Sequence, residues 1–137
     1  MTASARSVEL ARAAAEAAAE KLAQDIVAFD VSEQYVITDV FVLASAANDR
    51  QVRAVIDEIE DRLRELDAKP VRREGEREGR WVLLDYIDVV IHIQQHEERE
   101  YYSLERLWKD CPVLELPESV RRANEQARAR SASEVAS

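Results

Sequence analysis

The pattern of hydrophobic and polar residues predicts two amphipathic helices in the first half of the chain. The first follows Ser7, a suitable N-cap, and carries a narrow alanine stripe between Val8 and Leu22. In the second, Asn48 can cap the helix and Gln51 stands three residues later, as a capping box requires. Both helices can therefore pack one face on a sheet. The apolar stripe of the second helix is Val52, Val55, Ile56, Ile59, Leu63 and Leu66.

Runs rich in β-branched and aromatic residues predict five strands. A turn at 32–34 separates the first two strands, and a charged turn between Gly75 and Gly79 follows the third. A short helix is expected after the last strand. This order predicts a mixed α/β (α+β) fold with a mixed sheet of about five strands, covered mainly on one face by helices. The predicted strands are 26–31, 36–44, a run from Val71, 81–85 and 87–93, and the short helix is 97–108.

The same pattern predicts one folded domain at residues 7–117. Residues 1–6 are expected to form a flexible N-terminus. Residues 118–137 are polar and rich in alanine and arginine, which is typical of a disordered tail. Pro112 and Pro117 are expected to end regular structure before this tail.

Charge and cysteine content narrow the class of protein. The net charge is −9, and the tail carries four arginines against three glutamates, so the acidic charge lies in the body of the chain. An acidic body repels phosphates and suits a basic protein partner, so we expect no direct nucleic-acid specificity. The longest apolar run, at 40–44, is far shorter than the roughly 18 residues of a membrane span. Because Cys111 is the only cysteine, no intrachain disulfide is possible, and we expect a cytoplasmic protein without membrane association.

Catalytic and metal-binding patterns are weak. His92 and His96 are four residues apart, but Ile93 stands where the helical zinc motif has its glutamate. Asp85 and Asp88 resemble a carboxylate pair for Mg²⁺, yet the turn before the second helix has no glycine to hold a phosphate. We therefore expect no catalytic residues, no metal site and no cofactor.

The segment 81–86 is the candidate binding strand. One of its faces must pack on helices. If the other face is open, it presents large apolar groups beside carboxylates, as a protein-binding hot spot does; periodicity alone leaves open that both faces are buried. Alternation directs Trp81, Leu83 and Asp85 to one face and Val82, Leu84 and Tyr86 to the other.

Six segments occur in an order and at spacings that are specific in combination: TDVFVLAS at 38–45, RQVRAV at 50–55, EG at 74–75, WVLLDY at 81–86, DVVIH at 88–92 and REYYSLERLW at 99–108. On these segments the chain resembles the ribosomal silencing factor family, also called Iojap-like, and looks most similar to its actinobacterial members. The resemblance covers roughly residues 8–112. Many members have glycine where Ile87 stands, and a glycine-containing turn where Ala46 and Ala47 stand.

The resemblance implies a nucleotidyltransferase-like fold without catalytic motifs, and so a protein that is not an enzyme. It implies a partner, ribosomal protein L-fourteen of the large subunit, on the face where the small subunit docks. Occupying that face would block subunit joining and repress translation under nutrient limitation. The implied partner-binding residues are Trp81, Leu84, Asp85 and Tyr86, with Glu74 and Asp88 as acidic neighbours.

Two other functions stay open at this point. A large-subunit assembly factor would use the same contact without blocking translation, and a nucleotide-handling enzyme would share the same fold. The sequence does not fix the oligomeric state either, and a homodimer of the free protein is one alternative.

Overall fold

The computed structural model describes residues 2–136, which form a five-stranded mixed sheet with four α-helices. The predicted order of elements is confirmed, and a 3₁₀ turn and a fourth helix follow it. The elements are α1 Ala5–Glu20, β1 Gln24–Asp30, β2 Val40–Ala46, α2 Asp49–Glu65, β3 Arg72–Glu74, β4 Trp81–Asp85, β5 Val89–Gln95, α3 His96–Tyr102, the 3₁₀ turn Leu104–Arg106 and α4 Glu118–Ala136. Across residues 2–136 no helix is both long enough and apolar enough to cross a membrane.

The strand order is β1-β2-β5-β4-β3. The central pair, β2 and β5, is parallel, whereas the other three pairs are antiparallel. Because a parallel pair needs a long connection, α2, β3 and β4 all lie between β2 and β5 in the chain. The predicted mixed α/β fold class is therefore confirmed.

The first helix begins three residues earlier than the sequence indicates. Ser4 is its N-cap and accepts a hydrogen bond from the Ser7 amide at 3.0 Å. Ser7 itself is buried, and its hydroxyl donates to Asp39 at 2.8 Å. The Ala3 amide donates to Asp30 at 2.9 Å, so the described part of the predicted flexible segment 1–6 is tied to the end of β1. Met1 lies outside the described residues.

Asn48 caps the second helix as predicted, whereas the Gln51 side chain bonds to the amide of Ala47 and not to that of Asn48, which a capping box would require. The Asn48 side chain accepts from the Gln51 amide at 2.9 Å, and the Gln51 side chain accepts from the Ala47 amide at 2.7 Å. The apolar stripe is buried from Val52 to Leu63, and Leu66 is half-buried beside it. The stripe places α2 on the same face of the sheet as α1.

Helices cover the two faces of the sheet unequally. The larger core lies between the sheet and the helices α1 and α2, where the alanines of α1 allow close packing. A smaller core lies on the opposite face, under the 3₁₀ turn. Because the 3₁₀ turn covers only part of this face, the part formed by β4 remains partly exposed. The buried residues of the smaller core are Phe29, Val31, Leu43, Leu104, Trp108 and Cys111.

The predicted helix at 97–108 is broken at Ser103. Ser103 has a left-handed backbone (φ 45°), so α3 ends at Tyr102 and a 3₁₀ turn follows. Because the chain changes direction there, Tyr101 is 82% exposed and Leu107 is 67% exposed. These two side chains therefore do not share a buried face with Trp108, as they could on a continuous helix over 97–108.

The predicted disordered tail, 118–137, is helical in the structure as far as Ala136. Pro117 opens α4, because its carbonyl accepts from the Val120 amide at 3.0 Å. Val120 and Ala127 are buried against the core. Asn124 lies between them, so one face of a polar helix packs on the domain. Ser137 lies outside the described residues.

The outer edge of β1 is occupied along its length. Asn124 of α4 donates its side-chain amide to the Ile26 carbonyl and accepts from the Ile26 amide, both at 2.9 Å. The Ala28 carbonyl accepts from the Leu114 amide at 2.9 Å, and the Asp30 amide donates to the Pro112 carbonyl at 2.8 Å. Four backbone groups of this edge strand, at Ile26, Ala28 and Asp30, are thus satisfied by the C-terminal segment.

Candidate partner-binding surface

The two faces of β4 differ sharply in burial. Val82 and Leu84 have no exposed surface and belong to the larger core. Trp81, Leu83 and Asp85 are half-buried and lie on the opposite, partly open face. The open face therefore presents an indole, an isobutyl group and a carboxylate in a row along one strand.

This geometry corrects two of the sequence-predicted site residues. Leu84 is fully buried, and Tyr86, just past the strand, is only 8% exposed in the same core. The Tyr86 hydroxyl is buried and has no hydrogen-bond partner among residues 2–136. Burial, with a smaller effect from the charge of Glu60, raises the pKa of Tyr86 to about 12. Leu84 and Tyr86 are core residues because they follow the alternation that puts Val82 beneath α2.

Glu74 and Asp85, two of the predicted acidic residues, are brought together by Arg72. In the antiparallel pairing of β3 with β4, Arg72 is opposite Asp85, and Glu74 is opposite Leu83. Residues directly opposite one another share a face, so all four side chains lie on the open side. The Arg72 guanidinium lies 3.2 Å from a carboxylate oxygen of Glu74 and 3.2 Å from one of Asp85.

Asp88 lies in the exposed turn between β4 and β5, at the Asp85 end of the face. Its carbonyl accepts from the Asp39 and Val40 amides, at 2.8 and 3.1 Å, which ties the turn to the start of β2. On the other side of the turn, Asp85 accepts from the Ile87 amide at 2.8 Å. The Asp88 carboxylate therefore projects from a well-fixed backbone.

Trp81 contacts two rings, the imidazole of His92 and the phenol of Tyr102. Its indole Nε1 donates to Nδ1 of His92 at 3.1 Å. The Tyr102 ring of α3 lies 4.8 Å from the Trp81 ring, centroid to centroid, on the same face. Phe41 and Trp108 stack at 4.3 Å beside His92 and complete the apolar floor.

Three residues of this surface are absent from the sequence-predicted set: Leu83, Arg72 and Tyr102. The signal for Leu83 was available, because strand alternation groups it with Trp81. Tyr102 meets Trp81 only through the fold, since α3 follows β5 in the chain, and no local pattern indicates that contact.

The candidate metal ligands are separated in the structure. His92 is buried in the sheet, whereas His96 begins α3 and is exposed. Burial lowers the pKa of His92 to about 4, so the imidazole is neutral at physiological pH. In the part of the chain that the structure describes, no three His, Cys, Asp or Glu side chains are grouped as a metal ion would need.

The sheet order and this surface define a small mixed α/β protein whose open sheet face combines an indole with carboxylates. The class can be narrowed by comparison with known proteins. A family model described as "Ribosomal silencing factor during starvation" matches residues 4–137. The chain belongs to the ribosomal silencing factor family, which confirms the resemblance noted in the sequence.

Individual relatives agree with this assignment. Ribosomal silencing factor RsfS of Bacillus subtilis is 41% identical over 103 residues, which cover 75% of this chain and 87% of that protein. A mouse relative, "Mitochondrial assembly of ribosomal large subunit protein 1", is 32% identical over 89 residues, covering 63% of this chain and 39% of that protein. A crystal structure of a Chromobacterium violaceum protein superposes with a TM-score of 0.71 at 33% identity, covering 74% of this chain and 84% of that one.

Proposed function

We propose that the protein binds ribosomal protein L-fourteen on the large ribosomal subunit and sterically blocks association with the small subunit. Translation is thereby repressed when nutrients are limiting. The protein acts by occupying a surface and needs no catalytic step, metal or cofactor. Its family membership supports this function, and the family model's own description refers to starvation.

The open face of β4 is the observation that carries the proposal. Trp81 supplies the large, partly exposed aromatic group that dominates the energy of many protein interfaces. Leu83 extends the apolar area, while Glu74 and Asp88 are exposed carboxylates at its margin. An aromatic centre with an acidic rim is complementary to a basic protein partner.

Arg72 shapes the charge of this surface. It already pairs with Glu74 and Asp85, so an incoming lysine or arginine shares these carboxylates with an internal guanidinium. Exposed ion pairs are individually weak, so Arg72 can be displaced from one of them at low cost. The acids therefore contribute mainly to the rate of encounter, and the apolar groups contribute most of the affinity.

The test combines sedimentation with a joining assay. The protein should co-sediment with free large subunits and be absent from joined ribosomes. Added in excess to separated subunits, it should lower the joined fraction. Trp81→Ala should weaken binding to purified L-fourteen by about 2 kcal/mol or more, the scale of a central hot spot. Equal recovery on small subunits, or no recovery on large ones, would refute the proposal.

A large-subunit assembly role is the second candidate, because the mouse relative carries "assembly of ribosomal large subunit" in its name. The same L-fourteen contact would serve it. Tight binding to L-fourteen with no effect on subunit joining would favour assembly over silencing.

A further inference from the structure

We propose that His92 is a positioning residue that fixes the orientation of the Trp81 indole on the partner-binding surface. The inference rests on the proposed function, because the proposed surface centres on Trp81. It assigns a binding role to a buried residue that would itself never contact the partner.

The hydrogen bond between the two residues joins neighbouring strands diagonally. Trp81 begins β4 and His92 lies in the middle of β5, where it pairs with Leu83. The indole Nε1 to imidazole Nδ1 distance is 3.1 Å. A bond to the edge of the indole fixes rotation of the ring, which apolar packing alone leaves less defined.

His92 is itself held in place. Its side chain is nearly fully buried, and its ring lies 5.6 Å from that of Phe41 and 5.9 Å from that of Trp108. A ring packed on these sides cannot follow the indole outward. Tyr102 contacts Trp81 from α3 at 4.8 Å, so a hydrogen bond and a ring contact together constrain the indole.

The chemistry of the imidazole suits an acceptor. Nδ1 accepts only when it carries no proton, so the proton of the neutral ring is on Nε2. Nε2 is buried and has no hydrogen-bond partner among the described residues. A buried polar atom without a partner is unfavourable, and a hydrocarbon side chain would avoid that cost. The bond to Trp81 is the interaction that a hydrocarbon at this position could not make.

The consequence for binding is pre-organisation. A half-exposed tryptophan that is free to rotate must lose that freedom when a partner contacts it, which weakens association. An indole already fixed by His92 avoids that loss. Residue 92 would thus tune the affinity for L-fourteen without belonging to the contact surface.

Three variants separate the hydrogen bond from the packing. His92→Phe keeps a buried ring and removes the acceptor, whereas His92→Asn keeps an acceptor oxygen near the position of Nδ1. Trp81→Phe removes the donor. Should His92→Phe not fold, His92→Leu, which is smaller and equally without an acceptor, takes its place.

The first measurement needs no partner. In ¹⁵N-labelled protein, the Trp81 indole N–H resonance should shift in His92→Phe and stay close to its original position in His92→Asn. The Trp108 indole, which donates to the Tyr35 hydroxyl at 3.2 Å, serves as the internal reference and should move less. An unmoved Trp81 resonance in His92→Phe would overturn the positioning role.

The second measurement is affinity for purified L-fourteen. His92→Phe should weaken binding about fivefold, the equivalent of one net hydrogen bond, and His92→Asn should recover most of it. When Trp81 is already replaced by phenylalanine, His92→Phe should cause no further loss of affinity. Equal losses in both backgrounds would show a general structural effect and overturn the inference. If the wild-type protein does not bind L-fourteen, the proposed function itself fails, whatever the resonances show.

Discussion

Leu83 and Leu84 are neighbours in β4 and lie on opposite faces of the sheet, one half-buried on the open side and the other fully buried beneath α2. Two leucine side chains, one residue apart, therefore have different environments. Substituting each leucine in turn therefore tests which face of β4 binds the partner and which face stabilises the fold.

Leu84→Ala should lower the free energy of unfolding by roughly 2–5 kcal/mol, because it leaves a cavity in the larger core. Leu83→Ala should cost well under that amount, and should weaken L-fourteen binding instead. Urea unfolding and affinity would be measured on both variants. A larger stability loss in Leu83→Ala than in Leu84→Ala would reverse the assignment of the two faces.

Ile87 is a β-branched residue with a left-handed backbone (φ 71°), which costs about 1–2 kcal/mol relative to an ordinary conformation. Glycine adopts this conformation without strain. Ile87→Gly should therefore raise the melting temperature slightly or leave it unchanged, although Ile87 is an apolar residue. Ile87→Ala, which stays strained, is the control and should be less stable than Ile87→Gly.

Gly75 allows the β3–β4 turn to approach the start of β4. Its φ is +81°, and a Cβ built there would lie 1.9 Å from the Trp81 carbonyl oxygen. Gly75→Ala should destabilise the protein by about 2 kcal/mol or more, since both backbones must move. At Gly79 (φ +68°) a Cβ would lie 3.0 Å from a side-chain atom of Asp49, so Gly79→Ala is the milder control in urea unfolding. Equal losses at the two glycines would contradict the close approach.

Stability should fall in weak acid because of His92. The folded protein keeps this imidazole neutral down to about pH 4, whereas the unfolded chain protonates it near pH 6.5. Unfolding therefore takes up a proton between these values, and stability decreases as pH drops through that window, by roughly 2 kcal/mol at pH 5. His92→Phe should lack this component. Urea unfolding at pH 7.5 and pH 5 measures it, and an equal fall in the variant would assign the effect to other groups.

Asp85→Asn should slow association with L-fourteen roughly twofold to threefold and reduce the salt dependence of the on-rate. The substitution removes the charge while keeping an oxygen that can accept from the Ile87 amide. Asp57→Asn removes the same charge from the exposed side of α2, away from the open face, and is the matched control. Equal effects of the two substitutions on the association rate would mean that only net charge matters.

The parts of the fold that the sequence predicts well depend on local interactions. The start of α2 depends on Asn48 and Gln51, which are three residues apart, and its stripe is read directly from the spacing of apolar residues. The helix α4 has no such stripe. It packs through Val120 and Ala127, while Asn124 bonds to a strand 98 residues away, so its order depends on tertiary contacts that composition does not reveal.

The same distinction applies to the candidate surface. Alternation correctly separates the residues of β4 into two sets, but it does not say which set faces α2. The family resemblance then placed Leu84 and Tyr86 in the surface with Trp81, although strand geometry keeps Leu84 on the opposite face from Trp81. Val82 and Leu84 are buried in the larger core, which leaves Trp81, Leu83 and Asp85 on the open face.

The closed outer edge of β1 has a consequence for how a partner can be recognised. Many peptide-binding domains offer an open edge, to which the partner adds a further strand. Here Asn124 and residues 112–114 already occupy one edge of the sheet. The other edge is β3, which is three residues long, charged throughout and preceded by Pro70. One edge is occupied and the other is short and charged, so neither favours the addition of a partner's backbone, and the proposed surface would select its partner through the side chains of the sheet face.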